Sequence, residues 1–498
     1  MSKQQYILAI DLGTQSVRAA LLSKNADIVG IEQLPLEVHS PNPGWAQQKP
    51  DGWWLKVSGA IKGLLKKTAV PADQVAGVIT CGQMHGPVGL DEFGTVTTEW
   101  TQIWSDKRCQ DQVNHLRETY NSTVLSSVTG NPPNAGWTGI KAMWLKRHQA
   151  KIYDSSRWLL VPKDYINFML TGAAATDPSE ASGTYLWDAE KDAYSASMAE
   201  KLGVDLDKFA PVHKSHEIIG EVTENAAKTT GLAAGTPVMA GGGDFLVSLL
   251  GMGMVGNDVA VDITGTVTLF VVHKEQPIVH PTMQNLRHVT GGWVPFVMLD
   301  CGGLSVKWCL DLMSSAKQRD TSYETLIAMA EQAPPGCEGL IFYPYMLGER
   351  RPDNTAARGG FFGITINHKA HHFTRSVMEG VALALGMNLE HFRNRGVEID
   401  KVYCVGGGTR NSLLNQMKAD VLGLPLYIAD EPEATLKGAG LLGSYGLGFI
   451  DNIADAAQAS FGYTTIIKPN KKNARHYEYY QERFNKVYEH MLGFYQDD

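Results

Sequence analysis

Short apolar strands alternating with amphipathic helices predict an α/β protein, and a length of 498 residues predicts that it is divided into two domains. Three observations carry this reading. The strand-like runs recur along the whole chain, the chain is too long for one hydrophobic core, and two distant stretches share one local design.

The strand-like runs are "YILAID" (6–11), "VAGVIT" (75–80), "PVMAGG" (237–242), "DVAVDIT" (258–264), "GLIFYP" (339–344), "KVYCVGG" (401–407) and "PLYIAD" (425–430). Helical spacing lies between them at 51–66, 375–394 and 411–422. Near the C-terminus Tyr477, Tyr480, Phe484, Val487, Met491 and Phe494 fall at steps of three and four, one helical face expected to dock on its own domain. Glycines cluster before a new strand in "GMGMVGND" (251–258), which sets the halves at 1–256 and 257–498.

The shared design is a strand, an acid, a Gly-Thr turn and a second strand. It occurs in "LAIDLGTQSVRAALL" (8–22), with Asp11, Gly13 and Thr14, and in "VAVDITGTVTLFVV" (259–272), with Gly265 and Thr266. Each reads as a hairpin whose turn offers N–H groups and a hydroxyl, groups that can hold a phosphate without lysine. One such turn in each half predicts two related domains facing each other across a cleft.

Composition narrows the function. With 44% hydrophobic and 19% charged residues the chain reads as a globular enzyme. Its 44 basic and 52 acidic residues give a net charge of -8, with no basic run to follow a nucleic-acid backbone. The stretch before Asp11 is too short for a signal peptide, and the Gly-rich region near 245–256 falls short of a membrane helix. Six cysteines without CxxC or metal spacing fit reduced thiols, so a cytoplasmic protein is expected. His371 and His372, adjacent on a helix, are expected to point apart rather than bind a metal.

Two more glycine clusters carry chemistry. "VGGGTRNSLLNQMKAD" (405–420) follows a strand and opens a helix, a junction that favours an anion or nucleotide but also serves as a plain turn. "GGGDFLVSLLG" (241–251) places Asp244 where bare backbone becomes a helix. Asp244 reads either as an N-cap or as a base of ordinary pKa near ~4, ionised at neutral pH. GxxxxGK[ST] does not occur, which argues against a P-loop fold.

Together these residues resemble the FGGY family of carbohydrate kinases, and within it the xylulokinase-like members most closely. The match includes "IDLGTQSVR" (10–18), "GQMHG" (82–86), "VPKDYINFMLTG" (161–172), "TDPSEASGTYLWD" (176–188), "PYMLGERRPDNTAARGGFFGIT" (344–365) and the 405–420 segment. The resemblance implies two actin-like, ribonuclease-H-like ATPase domains with ATP and a small sugar meeting in the cleft. It further implies Asp244 as catalytic base and Asp11 near Mg²⁺, acting through water. Thr14, Arg18, Gly265, Thr266, Gly303, Gly407, Gly408 and Asn411 would bind the nucleotide, and Met84 and His85, with Asp244, the sugar.

The leading expectation is therefore Mg²⁺- and ATP-dependent phosphorylation of D-xylulose to D-xylulose 5-phosphate. A kinase of another ketose, polyol or modified sugar is the alternative, because Phe245 stands where xylulokinases have Asn and cannot hydrogen-bond a hydroxyl. An actin-like ATPase switch without sugar kinase activity is a rival of another class. Partners are expected to be the small-molecule sugar, with neither nucleic acid nor membrane; a homodimer is compatible with the reading.

Overall fold

The computed structural model describes residues 5–256, 258–317, 321–349, 356–430 and 433–496. Residue 257, at the expected change of half, and residues 350–355 of the quoted 344–365 motif lie outside the described residues.

The first sheet is built from β1 (Tyr6–Leu12), β2 (Ser16–Leu22), β3 (Ile28–Pro35), β4 (Val75–Gly82), β5 (Ile218–Glu221) and β6 (Pro237–Gly243). Their order is β5-β6-β4-β1-β2-β3, with β1, β4 and β6 parallel and β1-β2-β3 an antiparallel meander. β1 is buried along its whole length, as its apolar run, interrupted only by Asp11, requires of a strand covered on both faces.

The second sheet repeats the plan with β7 (Asp258–Thr264), β8 (Thr268–Val272), β9 (Gln284–Arg287), β10 (Trp293–Leu299), β11 (Ile399–Val405), β12 (Leu426–Ala429) and β13 (Tyr463–Ile467). The order is β9-β10-β8-β7-β11-β12-β13, with β7, β11 and β12 parallel. The duplication holds to the residue. Asp11 on β1 pairs in register with Cys81 on the parallel strand β4, and Asp262 on β7 pairs with Cys404 on the parallel strand β11. All six cysteines are free and buried.

The helices that position the site are α1 (Pro50–Thr68), α2 (Pro162–Thr171), α3 (Pro178–Ser182), α4 (Asp244–Gly251), α5 (Gly302–Lys317), α6 (Ala370–Arg393), α7 (Ser412–Leu422), α8 (Ala434–Gly446) and α9 (Lys471–Gln496). The predicted helices at 51–66, 375–394 and 411–422 correspond to α1, α6 and α7. Helix α8, which follows the second sheet's strands in the chain, crosses back to the first sheet. Gly443 lies against Ile7, Gly438 against the Val247 carbonyl of α4, and the Ser444 hydroxyl donates to the Lys24 carbonyl at 2.8 Å. Small residues let α4 and α8 approach closely, so the two halves share a buried helix pair.

Helix α9 docks on its own half: Tyr477, Tyr480 and Phe484 are buried, and the Tyr343 hydroxyl donates to the Phe484 carbonyl at 2.8 Å. Phe494, expected on the same face, is 73% exposed, while its neighbours Leu492 and Tyr495 pack on the core instead. His371 and His372 do not point apart. Their rings lie 4.2 Å apart, because His372 folds back and its Nδ1 accepts the Lys369 N–H at 3.0 Å, capping the helix's first turn. Among the described residues no group of His, Cys, Asp and Glu is arranged to hold a metal, and no helix is long and apolar enough to cross a membrane.

Candidate active site

Asp244 is the first residue of α4, directly after the parallel strand β6. The glycines before it are required by close contacts. Gly241 is left-handed at φ 73°, and a Cβ there would run into the Thr80 carbonyl oxygen. A Cβ at Gly243 would lie 2.6 Å from the Met84 sulfur.

The turn is held from beneath by a fully buried polar relay. The Gly243 N–H donates to Ser179 Oγ at 2.9 Å, and Ser179 Oγ donates to Asp177 Oδ2 at 2.6 Å. That same oxygen accepts from Ser215 Oγ at 3.0 Å. Lys163 closes the relay, with Nζ 3.1 Å from Asp177, 3.1 Å from the Ala240 carbonyl and paired to Asp164. Buried charges held in this way stay put, since each polar atom would be costly to leave unpaired.

Asp244 Oδ1 accepts the Phe245 N–H at 2.7 Å, and the residue lines the cleft between the halves. Burial, and then the Asp11 charge, push its pKa up to about 7, against the pull of the Phe245 N–H and Arg18. The sequence reading of an ordinary carboxylate near ~4 is thereby corrected. Enclosure by the two halves does this, and no local pattern announces it.

Asp11 is 4% exposed. Its Oδ2 accepts from Arg18 Nε at 3.0 Å and pairs with the same guanidinium through Nη2. Its Oδ1 is buried and meets no donor. Burial raises the Asp11 pKa and Arg18 lowers it, the burial effect being the larger. Arg18 also reaches Glu433, just before α8, at 2.5 Å, so one guanidinium ties a β2 side chain to the second half.

A cavity of about 370 Å³ opens over Asp244. From the first half Thr14, Met84, His85, Trp104, Asn134 and Phe245 face it; from the second, Val267, Leu269, Gln284, Leu286, Phe296 and Met298. His85 has φ 71°, an uncommon conformation for a residue with a side chain, and meets Trp137 edge-on at 5.2 Å. Burial, with Lys141 adding to it, lowers its pKa to about 3, so the ring is neutral.

The remaining glycine elements converge on the second half. Gly265 and Thr266 form the exposed turn between β7 and β8 and rest on the start of α5: Gly303 N–H donates to the Gly265 carbonyl at 3.1 Å, Leu304 N–H to that of Thr266 at 3.1 Å. Gly407 and Gly408 form a short turn after β11, with Gly408 against the Thr264 side chain. Asn411 caps α7 by accepting the Leu414 N–H at 3.0 Å. Lys418, from α7, reaches Asp262 at 2.6 Å and Thr264 Oγ1 at 2.7 Å, tying α7 to the end of β7 just ahead of the Gly265-Thr266 turn. Val267, next to Thr266, lines the cavity that also holds Thr14 and Asp244, so both Gly-Thr turns lie at one cleft.

A family model for the N-terminal domain of the FGGY carbohydrate kinases matches residues 6–251, and the model for the C-terminal domain matches residues 260–447. The chain belongs to the FGGY family of carbohydrate kinases. It is a sugar phosphotransferase whose two actin-like domains face each other across the cleft. It is 32% identical to the xylulose kinase of Escherichia coli strain K12 over 424 residues, 84% of this chain and 85% of that kinase. It is 27% identical to the xylulose kinase of Bacillus subtilis strain 168 over 488 residues, 98% of this chain and 97% of that one. Among solved structures it superposes on the xylulose kinase of Rhodospirillum rubrum with a TM-score of 0.91 at 27% identity, covering 99% of this chain and 100% of that one.

Sequence reasoning about this FGGY kinase missed the relay through Lys163, Asp177 and Ser179, although "TDPSEAS" was in view, because nothing in that segment points to a turn some sixty residues later. It also missed Asn134, Gln284 and Phe296, which carry no motif. A helix over 434–446 went unread because its glycines argue against one.

Proposed function

We propose that this FGGY kinase transfers the γ-phosphoryl group of ATP to a small ketose, with D-xylulose the first candidate and D-xylulose 5-phosphate its product. The observation that carries the reading is Asp244: a carboxylate with a free oxygen and a pKa near neutrality, in a cleft bounded by two Gly-Thr turns. As the sugar oxygen bonds to phosphorus and the bond to the ADP oxygen breaks, the hydroxyl proton passes to Asp244 Oδ2. Met84 and His85 shape the sugar's surroundings. Thr14, Arg18, Gly265, Thr266, Gly303, Gly407, Gly408 and Asn411 hold the nucleotide.

The orphaned Asp11 Oδ1 fits a magnesium ion held mainly by phosphate and water. Bound with ATP, that ion would neutralise phosphate charge. We place the enzyme in the cytoplasm, acting on a small sugar and not on nucleic acid, with its halves divided between residues 256 and 257.

A panel of sugars in a coupled ADP-release assay tests this reading. Turnover of D-xylulose is expected; turnover of another acceptor alone removes the xylulose assignment, and ADP release indifferent to every sugar leaves an ATPase switch instead.

The base must be deprotonated to act, so kcat/KM for the sugar should rise tenfold per pH unit below about 7 and level above it. A flat profile between about pH 5.5 and 8 would contradict a base of that pKa. Ser179→Ala removes the acceptor of the Gly243 N–H; kcat should fall about tenfold with the ATP KM and the pH midpoint unchanged. An unchanged kcat would show that the turn needs no such support.

A further inference from the structure

The hydrogen-bonding capacity of the cavity is small for a sugar site. Trp104 Nε1 is already spent on Thr14 Oγ1 at 3.0 Å, and Trp137 Nε1 on the Pro132 carbonyl at 3.0 Å. Asn134 Oδ1 accepts the Gly136 N–H at 2.8 Å. For a sugar there remain the Asn134 amide hydrogens, the Gln284 amide and His85, with Asp244 engaged by the reacting hydroxyl.

The other wall is mainly apolar and comes from both halves. Phe245 meets Phe296 edge-on, with centroids 5.3 Å apart. Leu269 and Met298 lie opposite each other on β8 and β10, and Leu286 on β9 extends the same surface, with the Gln284 side chain, opposite Phe296 in register, as its one polar member. A ketose carries a hydroxyl on every carbon except the carbonyl. Pressed against the Phe245 ring or the Leu269–Met298 pair, out of reach of the Gln284 amide, such a hydroxyl would lose water and gain no partner, which costs on the order of 1–3 kcal/mol.

We infer that the preferred acceptor presents a deoxygenated or alkyl carbon to the Phe245–Phe296 wall: a deoxy ketose rather than a fully hydroxylated one. The inference rests on the kinase reading above and specifies its substrate class. Phe245 is then the residue that sets specificity, by excluding a hydroxyl where a hydrogen-bonding side chain would welcome it.

The test compares two matched pairs on the full chain in the ADP-release assay, D-xylulose against 1-deoxy-D-xylulose and L-tagatose against 6-deoxy-L-tagatose. Each deoxy sugar keeps a terminal hydroxyl for transfer. In at least one pair kcat/KM should favour the deoxy sugar by about 10- to 100-fold, and Phe245→Asn should narrow that ratio by about tenfold or more. A wild-type preference for the hydroxylated sugar in both pairs overturns the inference and leaves the kinase reading standing. ADP release that no sugar stimulates removes the kinase reading, and the inference with it.

Discussion

Asp244→Asn should lower kcat for sugar phosphorylation by about 10³-fold while ATP binds within about twofold of its original affinity. The substitution is close to isosteric, and the amide oxygen can still accept the Phe245 N–H that Asp244 Oδ1 now accepts at 2.7 Å, so the start of α4 is preserved. What disappears is a group able to take a proton. Positioning and phosphate contacts come from other residues and survive, which is why nucleotide affinity should hold. Calorimetric titration with ATP and a single-turnover measurement of sugar phosphate separate the two effects. Normal sugar phosphorylation by the variant would end the assignment of Asp244 as base, and a large loss of ATP affinity would point to a structural role instead.

The second large effect is on stability. Lys418→Met should destabilise the second half by about 3–5 kcal/mol, because it strands the Asp262 carboxylate in a site where both side chains are nearly inaccessible. Asp262 and Lys418 pair at 2.6 Å, and both bond the Thr264 hydroxyl just ahead of the second Gly-Thr turn. The loss should appear as a lower denaturant midpoint. Pairing the change with Asp262→Asn should recover much of it, since the uncompensated charge goes with the carboxylate. A midpoint within about 1 kcal/mol of the unaltered protein would show that the pair contributes little.

Asp11 and Asp262 begin as the same feature in two copies, an acid ahead of a Gly-Thr turn, and the structure gives them different fates. Asp262 is enclosed between Lys418 and Thr264 and serves the loop. Asp11 shares its partner Arg18 with Glu433 and keeps one oxygen without a donor beside the base. The hairpins already differ at the cross-strand position, with Arg18 opposite Asp11 and Phe270 opposite Asp262, and Glu433 and Lys418, each more than a hundred positions away, complete the difference.

The sequence by itself determined the principal strands, three of the helices and the pairing into two like halves. Strand and helix periodicities reflect which faces must leave water, and the acid-Gly-Thr turns and the glycines before Asp244 are local backbone requirements. Only the tertiary structure decided the chemistry of the site: a pKa near 7 for Asp244, the relay from Lys163 to Gly243, the return of α8 to the first sheet, and the apolar wall across the cleft. Desolvation, charge coupling and close packing depend on distances in space, and those distances join positions as far apart as 18 and 433, which no local pattern in the chain encodes.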